Sequence, residues 1–378
     1  MRIAQVAPLY ESVPPKLYGG TERVVSYLTE CLVRKGHQVT LFASGDSQTR
    51  AELVAICARG LWRDQTVWET LAHHVRQLEL VVQNAHRFDV VHFHGDPLHY
   101  PVARRLPCAH VTTLHGLLLP VDHEPLFREF SDAALISISN DQRRPIPEAN
   151  WLATVYHGLP RDLLTFRETP GDYLAFLGRI APVKRLDRAV EIARRSGMKL
   201  KVAGNVCQGE RDYFAREIEP LLRASGSHVE FVGEVGGADK DAFLGKARAL
   251  LFPIDWAEPF GLVLIEAMAC GTPVIAFRRG AVPEIMVDGV TGFVVDDMDE
   301  AVRAVSLLDA LDRRACRQVF EERFTDERMT EGYLDAYNFL LNSDAAGPAL
   351  LKHSGRSLPW QQRPHATHMK RTRNRAAP

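Results

Sequence analysis

The amino-acid sequence predicts an α/β protein built from two halves, each a parallel sheet with helices on both faces. Two observations carry the prediction. Short runs of branched and aromatic apolar residues alternate with helical stretches, the pattern of buried parallel strands joined by crossover helices. The alternation stops once, at Leu159–Gly171, in a loop holding Pro160 and Pro170, and then restarts. With 378 residues, the chain is long enough for each half to bury its own core.

In the first half, residues 1–160, strands are expected at Ile3–Ala7, Val39–Ala43, Val90–Phe93, Val111–Leu114 and Leu135–Ile138. A helix over Thr21–Lys35 would take Thr21 as N-cap and end at Gly36, and a second would cover Val67–His86. In the second half, residues 171–325, strands are expected at Tyr173–Leu177, Leu200–Ala203, Val229–Val232, Leu250–Pro253, Val274–Phe277 and Gly292–Val295. Helices would cover Lys184–Ser196, Arg211–Ala224 and Phe260–Cys270. In such a fold a ligand sits beyond the C-terminal ends of the strands, so the cleft between the halves is the expected site.

Net charge is −1 with 25% charged residues, so nucleic acid is not an expected partner. The first apolar run is too short for a signal peptide, and Glu266, Gly271 and Pro273 interrupt the most apolar region, so no membrane span is expected. The six cysteines show no CxxC spacing and read as reduced, packed thiols of a cytoplasmic protein.

The most informative stretch runs from Asp255 to Val274. It holds two carboxylates, Glu258 and Glu266, with Pro259-Phe260-Gly261 between them and an apolar helix starting at the glycine. Gly261 lets a ligand approach the backbone, and the free amides of a first helical turn hold an anion. Over a mostly helical path the two acids would stand roughly 12 Å apart, about the separation of the two sugar rings that flank the diphosphate of a nucleotide-sugar.

Glu258 to Glu266 resembles the E-x7-E motif of the retaining glycosyltransferases of family 4, also called group 1. The resemblance runs from Met1 to about Leu341, with several motifs in the expected order. It implies the GT-B fold, two Rossmann-like domains facing across a cleft, with a last helix over residues 326–341 crossing back onto the first domain. Gly178-Arg179-Ile180-Ala181-Pro182-Val183-Lys184 matches the family's G-R-x4-K pattern, whose Arg and Lys bind the donor diphosphate. Some members have Gly after that Lys, where this chain has Arg185. The loop Tyr18-Gly19-Gly20-Thr21-Glu22 matches one that lies over the donor phosphates, and its paired glycines free the backbone to approach them. His115 matches a histidine that contacts the transferred sugar. Ser137–Arg143 and Val155–Pro160 resemble two further landmarks, the second carrying His157 where many members have Asn.

Carried onto this chain, the resemblance implies His115, Arg179, Lys184 and Glu258 as catalytic residues. Gly19, Gly20, Phe260, Gly261, Leu262 and Glu266 would bind substrate, with Glu258 at the sugar and Glu266 at the ribose. His92-Phe93-His94 invites a metal reading but fits the family's metal-free D-V-V-H-x-H strand. Asp239-Lys240-Asp241 and Asp297-Met298-Asp299 spell D-x-D but read as helix caps, so neither metal nor cofactor is expected. The expected reaction is retaining transfer of a hexose from a nucleoside-diphosphate sugar, UDP-glucose foremost, to an acceptor left open among glycans, lipids and small molecules. A nucleotide-sugar epimerase, a sugar phosphorylase and a nucleotide-sugar-binding regulator are the alternatives. Residues 343–378 are basic, with Pro and Gly throughout, and read as a disordered tail, so membrane contact would be peripheral at most.

Overall fold

The computed structural model of the protein describes residues 1–95 and 97–345. The first sheet has seven parallel strands: β1 (Arg2–Val6), β2 (Gln38–Ala43), β3 (Glu52–Ala55), β4 (Val90–Phe93), β5 (Ala109–Thr113), β6 (Leu135–Ser137) and β7 (Trp151–Thr154), in the order β3-β2-β1-β4-β5-β6-β7. The second has six: β8 (Tyr173–Leu177), β9 (Lys199–Ala203), β10 (Val229–Gly233), β11 (Ala249–Phe252), β12 (Val274–Phe277) and β13 (Gly292–Val295), in the order β10-β9-β8-β11-β12-β13. Strands buried on both faces, such as β4, β11 and β12, lack a polar side chain that would force alternation, apart from the hydrogen-bonded His92. The reading missed β3 and β7. Both are short, partly exposed edge strands, and the three apolar residues each contains, Leu53–Ala55 and Trp151–Ala153, are too few for periodicity to tell a strand from a helix.

Each sheet reverses its strand order once, between β1 and β4 and between β8 and β11. A crevice opens at such a point, because the loops leaving the two strands run to opposite sides. The loops after β1, β4, β8 and β11, with the neighbouring loop after β5, carry the candidate site.

Several local expectations change. Helix α1 spans Gly20–Arg34, so Thr21 lies in its first turn and Gly19 holds the cap position, with no side-chain cap bond. Gly19 sits at φ +138°, and a Cβ there would come within 2.8 Å of Pro15. Helix α2 spans Thr70–Asn84 and is capped by the Glu69 carboxylate on the Leu71 amide. The helix expected over Lys184–Ser196 is broken. Pro182–Lys184 forms a single tight turn, Arg185 turns left-handed at φ 53°, and α3 runs over Leu186–Ser196. That left-handed position is one glycine adopts freely. Arg185 occupies it with its guanidinium tied to Asp187 and Asp255. Helix α4 spans Leu262–Ala269, so Phe260 and Gly261 precede it rather than begin it.

The last helix, α5, spans Asp326–Ala345, longer than expected, and packs on α1 and β5 of the first sheet. Asp326 accepts from Arg34 at 2.5 Å, and the buried Tyr337 hydroxyl meets Gln5 at 3.2 Å and His92 at 2.6 Å. The rest of the expected basic tail lies outside the described residues. Residues 157–159 and 324–326 run side by side, joined by Leu159 N to Phe324 O and Asp326 N to Leu159 O. A Cβ on Gly158 would collide with the Thr325 carbonyl, so only glycine admits this close passage. One apolar cluster runs from the first sheet through Leu159, Phe260 and Phe324 to Tyr333. Burying each such side chain contributes about 1.5–3 kcal/mol.

Candidate active site

A cleft of about 700 Å³ opens between the two sheets. It is lined by every residue singled out above: Gly19, Gly20, His115, Arg179, Lys184, Glu258, Phe260, Gly261, Leu262 and Glu266. The structure brings the whole set together, from four loops and two helix starts.

On the second-domain wall the charges are paired. Lys184 Nζ lies 2.5 Å from Glu258 Oε2 and over the Trp256 ring, 4.7 Å from its centroid. Trp256 Nε1 donates to the same carboxylate oxygen at 3.0 Å. Arg179 faces Glu210 at 3.2 Å. Glu266, buried on α4, pairs with Lys240. A buried charge is tolerated only when it is paired and hydrogen-bonded, and here each glutamate is. The glutamate backbone is fixed as well. The Ala281 amide donates to the Glu258 carbonyl at 2.8 Å, and Gly280 lies so close that a Cβ would collide with it.

Helix α4 points its first turn into the cleft. Gly261 reaches it at φ +86°, a left-handed conformation that leaves the first amides of the helix open to an anion.

The first-domain wall includes three uncharged histidines, His94, His115 and His157. His115 stacks on His157 with ring centroids 5.3 Å apart, and His157 packs on Phe260 at 4.7 Å. Burial pulls the His115 imidazole down to about 3, and it pulls His94 and His157 well below the ordinary histidine range. The hydrogen bonds fix the tautomer. Gln5 gives its amide N–H to Tyr337, so its oxygen accepts from His94 Nε2 at 2.7 Å. His94 Nδ1 then accepts from His115 Nε2 at 3.0 Å. His115 Nδ1 is left as an acceptor, buried and without a partner. Gln142 holds the loop on either side of it, donating to the carbonyls of Leu114 at 2.9 Å and Gly116 at 2.7 Å.

Sequence reasoning missed four contributors. Lys240 was passed over inside a D-x-D string read as a cap. That helix is capped from Gly236 without a side-chain bond, and Asp241 instead binds Arg167 and the Thr165 amide. Asp297, in the other string, does cap its helix, accepting from the Glu300 amide. Glu22 follows the paired glycines without a motif of its own. It lines the cleft beside Gly19, and burial pushes its carboxyl up to about 7. Glu284 accepts from the Asn140 and Asp141 amides and from the Tyr156 hydroxyl, clasping the two halves. His157, which stands where many family members have Asn, packs between His115 and Phe260. None of these has a local signal, because every pairing joins residues far apart in the chain. His92 is bonded to Tyr337 and Thr113. Among the described residues no cluster of three or more His, Cys, Asp or Glu is placed to hold a metal, and no helix is long and apolar enough to cross a membrane.

Comparison with known proteins agrees with this geometry. Residues 18–166 match the model described as Glycosyltransferase Family 4, and residues 166–324 match Glycosyl transferases group 1. The D-inositol 3-phosphate glycosyltransferase of Actinosynnema mirum is 32% identical over 229 residues, covering 50% of this chain and 55% of that enzyme. AviGT4, a glycosyltransferase involved in avilamycin A biosynthesis, superposes with a TM-score of 0.69 at 25% identity, over 90% of this chain and 98% of its own. HepE of Anabaena, solved with UDP, superposes with a TM-score of 0.73 at 17% identity, over 90% of this chain and all of its own (100%). With its two parallel-sheet domains and both family matches, the chain belongs to the group 1 glycosyltransferases of GT-B fold.

Proposed function

We propose that this chain transfers a hexose, with retention of anomeric configuration, from a nucleoside-diphosphate sugar to an acceptor hydroxyl, and that UDP-glucose is the donor. One observation carries the reading: three cation–carboxylate pairs and the N-terminus of α4 share one wall of the cleft. Arg179, Lys184 and Lys240 each have a carboxylate partner. When a diphosphate enters, Arg179 and Lys184 turn to it, which frees Glu258 for the sugar hydroxyls. Lys240 keeps Glu266 oriented toward the ribose.

During transfer the bond between the anomeric carbon and the phosphate oxygen breaks. The acceptor oxygen attacks the same face, and its proton passes to the departing phosphate oxygen. Negative charge grows on the diphosphate, and fixed cations with the α4 amides stabilise it. His115 Nδ1 accepts from a hydroxyl of the transferred sugar. Gly19 and Gly20 leave room for the phosphates.

Two measurements test this. Thermal shift against UDP, GDP and ADP should single out UDP, since a ligand at 100 times its Kd adds roughly 2.7 kcal/mol to the folded state. The glucose released by slow hydrolysis of UDP-glucose, read by NMR before mutarotation, should be the α anomer. A β anomer would end the retaining reading. Conversion of the donor into another nucleotide-sugar without any acceptor would favour an epimerase, and dependence on free phosphate a phosphorylase.

A further inference from the structure

Beside the cleft, the first domain holds a second cavity of about 130 Å³, walled mostly by apolar side chains including Leu71, Leu78, Phe93 and Leu98. Pro8, Tyr10 and Gly95 line both spaces, so the cavity opens along the acceptor side of the cleft. Its volume is close to that of an apolar cavity of about 150 Å³ that stays dry and admits benzene. One six-membered ring fits.

Most polar groups in its wall are already engaged. Gln77 donates to the carbonyls of Ala7 at 2.8 Å and Phe42 at 3.2 Å, and His99 Nε2 meets the Thr112 hydroxyl at 2.7 Å. His74 differs. Its Nδ1 lies 2.9 Å from the Thr70 carbonyl, which can only accept, so Nδ1 carries a proton. In the neutral ring Nε2 is then an acceptor, and it is buried with no partner. A buried acceptor left unpaired is destabilising until a donor reaches it. The ring is also next to Tyr10, 5.2 Å away, which stacks in turn on the half-exposed Trp62.

We propose that this cavity is a specificity subsite for the acceptor, taking an aryl ring that bears a hydroxyl. The ring packs against Leu78, Phe93 and Leu98. Its hydroxyl donates to His74 Nε2 after a small turn of the imidazole. The remainder of the acceptor passes Pro8, Tyr10 and Gly95 and presents the hydroxyl to be glycosylated in the cleft. This assignment rests on the glycosyltransferase reading of the cleft and names the acceptor class for it.

Fluorine NMR titration of 4-fluorophenol onto the full chain tests the subsite without turnover. Saturable binding is expected, and 4-fluoroanisole, which lacks the donor, should bind about fivefold more weakly. Leu98→Trp fills the cavity from its exposed rim and should weaken 4-fluorophenol by about tenfold or more. Leu71→Trp repeats the block from the other rim if Leu98→Trp does not fold. His74→Phe should abolish the difference between phenol and anisole. The thermal shift with UDP should be the same in all variants. No saturable binding to the wild type, or unchanged binding with the cavity filled, overturns the subsite. Loss of the UDP shift in the wild type while 4-fluorophenol still binds would overturn the donor reading and leave the cavity standing.

Discussion

The two domains meet the same cleft with opposite chemistry. The second presents paired ions, Arg179 with Glu210, Lys184 with Glu258 and Lys240 with Glu266. The first presents His115 and His157, kept neutral by burial, and a rim of exposed apolar side chains such as Leu17, Tyr18 and Trp62. A diphosphate is a fixed dianion whose charge grows as the sugar leaves, so its half needs preorganised cations. An acceptor hydroxyl is neutral. Its half needs hydrogen-bond acceptors that do not compete as charges, and apolar surface to hold whatever carries the hydroxyl. On the proposed reading, this contrast divides the cleft into a donor wall and an acceptor wall.

The comparison breaks most sharply at Glu258. Glu258→Gln keeps the shape but removes the charge nearest the reacting sugar, so kcat should fall by about 10²–10³ with a smaller change in KM. Unchanged kcat in steady-state assays would detach the E-x7-E pair from the donor. Glu266→Gln should instead raise donor KM more than it lowers kcat, because contacts to the ribose are shared by ground and transition states.

On the first-domain wall, the histidines make a pH prediction. Their folded values lie below the ordinary histidine value, so the unfolded chain binds protons first as the pH falls. Stability should be intact above about 6.5 and decline as pH drops towards 3. Melting temperature followed over that window checks it, and His115→Phe should flatten the decline. Glu22 runs the other way. Its folded value is raised to about 7, so its contribution is full below the unfolded value and is lost as pH rises through 7. Glu22→Gln should raise the melting temperature by a few degrees at pH 8 and leave it unchanged at pH 4. Equal shifts at both pH values would show that its burial does not govern its charge.

The smallest effect is expected from metal removal. Arg179 and Lys184 supply fixed positive charge at the proposed diphosphate, so turnover after exhaustive chelation should stay near the untreated value. Loss restored by Mg²⁺ or Mn²⁺ would show that the second domain's cations are not sufficient.

Much of the architecture was legible because buried parallel strands are written locally. Tyr173–Leu177 and Val274–Phe277 are apolar throughout, and β8 and β12 have those bounds. The charged motifs of the cleft were legible too, since Gly178 to Lys184 and Glu258 to Glu266 are each short local stretches. The edge strands β3 and β7 were not, because three apolar residues in a row, Leu53–Ala55 and Trp151–Ala153, suit a strand and a helix equally. Nor was the break at Arg185, where a residue other than glycine takes a left-handed turn with its side chain anchored by carboxylates.

The sequence by itself determined the two α/β halves, the family and the motifs that bring Arg179, Lys184, Glu258 and Glu266 to one cleft, because hydrophobic periodicity and short motifs act within a few residues. Only the tertiary structure decided that Lys240 pairs with Glu266, that Glu284 clasps the two halves, that Gln5 and His94 leave His115 Nδ1 an acceptor, and that a ring-sized cavity opens beside the cleft. Each of these joins chain segments brought together by packing. Burial, not residue type, then sets which of the gathered groups carries a charge.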